Sequence, residues 1–221
     1  YNQLSAYANY LHSISEGDKL QGGVIFNKID YANYSLFSYI ESKIFLRSIT
    51  NFETKTSLIL GAELDNKSYT EQTTDPDMAE VVMQSRFMLQ IGQAINEELG
   101  ISGYAMYRKN LQSGNRYFSV DDFIYYEEEI FNDIYSNEGY EAGLNISYMF
   151  SKSILGKIET KYQVRNYIDL FTVDADGIEL DYFRKDMLYG AGAVLEINLA
   201  TAISGLTLYM NYNLLKNESN D

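Results

Sequence analysis

The 221-residue chain has no cysteine and no tryptophan, and its single proline is Pro76. Without cysteine there is neither a disulfide framework nor a thiolate metal site. One proline suits a chain that is mostly β-ladder, because proline has no N–H to give to one. No apolar run approaches the roughly 20 residues of a membrane-crossing helix, a test that strand-built membrane proteins fail as well. Positive charge is scarce: 17 Lys and Arg stand against 31 Asp and Glu, for a net charge of −14. Nucleic-acid binding needs clustered Lys and Arg, so that class of partner is excluded. The one histidine, His12, has no Ser or Cys partner at a recognisable spacing. No phosphate-cradling glycine loop or His-rich spacing occurs, and nothing selects one pair of carboxylates from the many. The expectation is a protein that is not an enzyme and carries no cofactor. The chain opens at Tyr1 without a secretion signal, which reads as a mature or trimmed product.

What the chain does have is aromatic residues, 21 Tyr and 11 Phe, and alternation. From Tyr140 to Tyr167 the sequence alternates almost without a break. Tyr140, Ala142, Leu144, Ile146, Tyr148 and Phe150 fall on one side; Ile154, Ile158, Tyr162 and Val164 continue the series. Between them stand Glu141, Asn145, Lys157, Glu159, Lys161 and Arg165. A period of two means β-structure with one apolar and one polar face. Both apolar sets lie on even numbers, so an odd loop, Ser151-Lys152-Ser153, joins them into a hairpin with one greasy side.

The same meter runs through the chain and marks ten strands. Their apolar registers include Leu4 to Tyr10, Leu20 to Phe26, Leu36 to Leu46, Leu58 to Leu64, Val81 to Ile91 and Leu99 to Tyr107. After the central hairpin come Met187 to Ile197 and Leu206 to Leu214. Turns follow strands one, three, five, seven and nine; longer connections follow the others, the longest spanning 109–138 and another 169–181. Ala200-Thr201 reads as a two-residue turn that pairs Leu195 with Leu206, Ala191 with Met210 and Tyr189 with Tyr212. No Asp, Glu, Lys or Arg enters the central part of the apolar register. The opposite register carries Glu41, Lys43, Arg47, Glu63, Asp65, Arg86, Arg108, Glu141, Lys157, Glu159, Lys161, Arg165 and Glu196. Lys157, Lys161 and Arg165 form a basic ladder, and Glu141 is placed diagonally to meet Lys161 or Arg165.

A soluble β-domain turns its apolar register inward, whereas a membrane barrel turns it to lipid. Three features favour the second arrangement. The strands reach the 9–11 residues needed to cross a bilayer at a tilt. Short turns alternate with long loops, and rings gather near the ends of the apolar register at Tyr10, Tyr34, Tyr107, Tyr140, Phe150, Tyr189 and Tyr212. On this pattern nearly the whole chain resembles bacterial outer-membrane β-barrel proteins as a class. The resemblance implies one antiparallel up-and-down transmembrane barrel over 1–221, in the bacterial outer membrane, with the bilayer as partner and a charged lumen. Barrels of the class end on a strand closing in an aromatic residue, whereas this chain stops in a polar stretch, Lys216 to Asp221. Ten strands are therefore expected to be a lower bound and twelve the natural number, with the barrel incomplete at its C-terminus.

Two functions follow: a porin-like channel for small hydrophilic solutes, with the charged register as its lining, or a non-conducting barrel anchoring a secretion or surface assembly. The acidic loop Asp121, Asp122, Glu127, Glu128, Glu129 and Asp133, interleaved with Phe and Tyr, offers a surface for a protein partner or plain solvation. Asp174 and Asp176, ahead of Gly177, have a faint calcium-loop flavour, though a plain acidic turn is the simpler reading.

Overall fold

A computed structural model describes residues 1–32, 35–72, 80–112, 134–173, 179–199 and 206–220. Ten strands form one sheet in sequence order, each antiparallel to its neighbours. They are β1 Asn2–Ser13, β2 Asp18–Asp30, β3 Tyr39–Asn51, β4 Thr56–Tyr69, β5 Val81–Ala94, β6 Leu99–Gln112, β7 Asn137–Ser151, β8 Ile154–Val173, β9 Glu179–Asn198 and β10 Thr207–Ser219. Among the described residues the only other elements are short 3-10 turns at Ser35–Phe37 and Ile134–Ser136. The sheet is open: β1 and β10 each have one neighbour and do not pair with each other.

Local chemistry sets the tight turns. Ser15 Oγ accepts from the backbone N–H of Gly17 and Asp18, and Asn96 Oδ1 accepts from those of Glu98 and Leu99. Such side-chain mimicry of a backbone turn is why Ser and Asn mark these positions. Between β7 and β8 the register shifts between Met149 and Ser151 around Phe150, leaving Tyr140, Ala142, Leu144 and Ile146 opposite Val164, Tyr162, Thr160 and Ile158. The two apolar sets share a face as expected, but Ser151 belongs to β7 and pairs with Ile154, so the expected three-residue loop is a two-residue turn, Lys152-Ser153, and the bulge at Phe150 supplies the odd residue.

Four sequence expectations are corrected. The third strand begins at Tyr39, because Leu36 belongs to the 3-10 turn Ser35–Phe37. The expected loop 169–181 is largely strand, since β8 runs to Val173 and β9 starts at Glu179. The longest connection is trimmed at both ends, as β6 reaches Gln112 and β7 starts at Asn137. Finally, β9 and β10 slip by four residues from the expected pairing: Leu195 faces Met210, Ala193 faces Tyr212 and Ala191 faces Leu214. The backbone N–H of Leu199 donating to Leu206 O closes that ladder, so the connection lies between these residues and not at 200–201 alone. An even slip leaves every side chain on its own face, which is why alternation could not detect it.

Burial is inverted relative to a water-soluble sheet. Among the described residues five hydrophobic side chains are buried against eleven polar or charged ones. Val24, Ile44, Leu46, Leu60, Phe87, Leu144 and Ile158, all of the apolar register, are exposed. The polar face is the covered one.

Candidate functional site

Cross-strand pairing places the thirteen predicted charged residues on this one polar face, with Lys157, Glu159 and Lys161 exposed on β8. A single row crosses it from β3 to β9: Phe45, Glu63, Arg86, Arg108, Gly139, Arg165 and Asp186 are successive backbone partners. The next row toward the short-turn end is Arg47, Gly61, Met88, Met106, Glu141, Gln163 and Leu188. On the other side lie Lys43, Asp65, Gln84 and Asn110.

Acids and bases in these rows engage one another. Arg86 binds both Glu63 and Asp65, with Nε 2.8 Å from Asp65 Oδ2, and Asp65 has no exposed surface. Lys161 Nζ lies 3.0 Å from Glu141 Oε2, one of the two pairings expected for Glu141, and Tyr104 Oη donates to the other oxygen at 2.9 Å. Lys43 and Glu41 pair at 3.1 Å, and Arg184 and Asp186 at 3.0 Å. Of the basic ladder, Lys157 faces Ser147 and Val194 across the strands, four rows from Arg165. Arg47 stacks its guanidinium 5.1 Å from the Phe45 ring. Glu159 and Glu196 complete the set on β8 and β9.

The long-loop end of the face is filled by the segment ahead of β7. Tyr135 Oη donates to Glu41 Oε1 at 2.6 Å, although Glu41 sits on β3, four strands away in the sheet. Asn110 Nδ2 donates to Tyr135 O and Gln84 Nε2 to Asn137 O, so β5 and β6 hold the segment down. Lys67, nearly buried, places its ammonium 4.3 Å from the Tyr39 ring centroid, 5.1 Å from Tyr69 and 5.5 Å from Tyr135. The short-turn end is hollow instead. A concavity of about 540 Å³ is lined there by Ser57, Gly92, Ser102, Asn145, Ser147 and Lys157. Residues from β4 through β8 share it, so the polar face curves inward.

Lys67, Asn110, Tyr135, Asn137 and Asp186 have no place in the sequence expectation, whereas Gln84 falls on the polar register beside Arg86. Lys67 shares parity with Glu63 and Asp65, and Asp186 with Glu196, so carrying the alternation further along β4 and β9 finds both. Tyr135 precedes its strand and had no such signal. The acidic-loop residues Asp121, Asp122, Glu127, Glu128, Glu129 and Asp133 lie outside the described residues, as do Asp174, Asp176 and Tyr34. Among the described residues no group of His, Cys, Asp and Glu is gathered to hold a metal ion.

On the apolar face, β7 to β9 carry rings in two groups. Tyr140, Tyr162 and Tyr189 lie side by side near the long-loop end, with centroids 6.0 and 5.1 Å apart. Tyr148 and Phe150 meet edge-on at 4.9 Å near the short turns. Between them β7 shows only Ala142, Leu144 and Ile146 on that side. No family model matches the chain, and no curated protein matches it.

Proposed function

We propose that this sheet is the wall of an outer-membrane β-barrel whose polar face lines a channel for small hydrophilic solutes. The observation that carries the reading is the inversion of burial: Asp65, Arg108 and Gln84 are covered while Ile44, Leu60 and Phe87 are exposed. In water that arrangement leaves a large apolar surface unpaired, which monomeric soluble proteins avoid. Against hydrocarbon the same surface is at rest.

Dimensions agree. β4 has 14 residues, about 46 Å of strand, or about 35 Å along the membrane normal at a tilt of about 40°. The hydrocarbon layer to be crossed is about 30 Å. Tyr140 and Tyr148 are about 27 Å apart along β7, or about 21 Å along the normal at the same tilt, against an apolar band of about 25 Å. The open edges of β1 and β10 must be paired for the sheet to lie in lipid, because unpaired backbone groups are costly there. Further strands, or a second copy, supply that closure.

The solute path runs along the charged rows, from the hollow at the short turns to the narrow end occupied by Tyr135. One observation favours the second reading, a plugged anchor: three hydrogen bonds hold the segment 135–137 across the polar face. Planar-bilayer recording on the complete protein decides between them. A channel shows steady conductance, and its ion selectivity shifts when Lys157, Lys161 and Arg165 are all changed to glutamine. No conductance from either wild type or a Tyr135→Ala variant overturns the channel and leaves the anchor.

A further inference from the structure

The middle of the Glu63-to-Asp186 row has an unused cation. Arg108 is 5% exposed, and its Nη2 is buried without a hydrogen-bond partner. The ionisable groups near enough to act on it are Glu141, Arg165, Arg86 and Tyr167. The acids of this neighbourhood are already committed: Glu63 and Asp65 to Arg86, Glu141 to Lys161 and Tyr104, Asp186 to Arg184. Buried guanidinium groups are normally paired, because loss of water is otherwise uncompensated. A planar fork of N–H donors with a free arm matches an oxyanion.

The backbone makes room beside it. Gly139 is the cross-strand partner of both Arg108 and Arg165, and contributes no side chain. Two strand spacings, about 9.6 Å, therefore separate the backbones of the two arginines, and the residue between them has no side chain. Glycine is obligatory there: its φ is +144°, and a Cβ would stand 2.2 Å from Val164 O.

We propose that Arg108 and Arg165, across the gap at Gly139, form a binding site for the oxyanion group of a small solute, a phosphate or a carboxylate. The site names the class of solute for the channel and rests on that reading only for the solute's route; binding itself is independent of conduction. Gln84 and Asn110, one row toward the long loops, also hold the inward-folded segment, so ligand entry is coupled to the lifting of Tyr135.

The test is calorimetric titration of the whole protein in detergent with inorganic phosphate, at an ionic strength held constant with chloride. Saturable phosphate binding is expected, weakened at least tenfold in Arg108→Gln and less than twofold in Lys157→Gln, which removes a charge from the same face at its far end. No saturable binding, or equal weakening in both variants, overturns the site. If Arg108→Gln does not fold, the guanidinium ¹⁵N signals of the wild type replace it: Arg108 must shift with phosphate at concentrations that leave Arg47 unmoved, and failure to do so overturns the proposal. Binding without conductance refutes the channel and keeps the site; conductance without binding does the reverse.

Discussion

Replacing Leu60 by arginine puts the orientation of the sheet to a direct test. Leu60 lies on β4 within the apolar register Leu58 to Leu64, between Ser48 of β3 and Leu89 of β5. It is half exposed, at 50%. If the exposed face meets water, a charge there touches solvent and costs within about 0.5 kcal/mol, the usual range for surface substitutions. If it meets hydrocarbon, arginine near the midplane costs about 2–4 kcal/mol. The two outcomes differ by at least 1.5 kcal/mol, more than a factor of ten in the unfolding equilibrium. The assay is reversible urea unfolding of the protein inserted in phospholipid vesicles. Gln90→Arg serves as control, since Gln90 follows Leu89 on β5 but belongs to the polar face, opposite Tyr104. The expected result is a loss of about 2 kcal/mol or more for Leu60→Arg and under about 1 kcal/mol for Gln90→Arg. A neutral Leu60→Arg would refute the assignment of the apolar register to lipid, and with it the channel.

Two further outcomes follow from the polar face. Arg86→Gln strands the fully covered Asp65 carboxylate and its neighbour Glu63 without their cation; breaking a buried pair in this way costs about 3–5 kcal/mol, read by the same unfolding assay, and the double change with Asp65→Asn recovers part of it. Gly139→Ala forces a Cβ against Val164 O at a positive φ; a loss of about 1–3 kcal/mol is expected, and hydrogen exchange should show the damage concentrated in the β7–β8 ladder around Val164.

The strands were legible because a two-faced ribbon leaves its period in the sequence, and the period survives wherever one side must stay apolar. Beyond that band it fades. Residues Asn166 to Val173 and Glu179 to Asp186 are strand, yet Asp181, Arg184 and Lys185 interrupt the alternation and the β8–β9 register shifts there. Within them, 169–173 and 179–181 read as loop because the cue is hydrophobic periodicity and nothing in that stretch needs to be hydrophobic. The β9–β10 pairing failed differently. Ala200 and Thr201 carry no turn chemistry strong enough to fix a position, and slips by an even number keep both faces intact. Charged members of the site were visible one strand at a time, and Glu141 with Lys161 could be matched because both lie in one hairpin. The row from Glu63 to Asp186 required the registers of five successive strand pairs. Tyr135 required the chain path ahead of β7, which no local pattern encodes.

The two bordering strands carry an obligation that the interior ones do not. Along β1 and β10, alternate residues turn their backbone groups sideways from the sheet, where no second strand lies beside them among the described residues. Water satisfies such groups, and oil does not. A ribbon of this kind has no stable halfway position inside a bilayer: it must find its missing flank while it can still exchange partners with solvent, or as it crosses. For the proposed barrel, insertion and closure are then one step, and the pairing of the two open edges sets when the sheet can enter the bilayer.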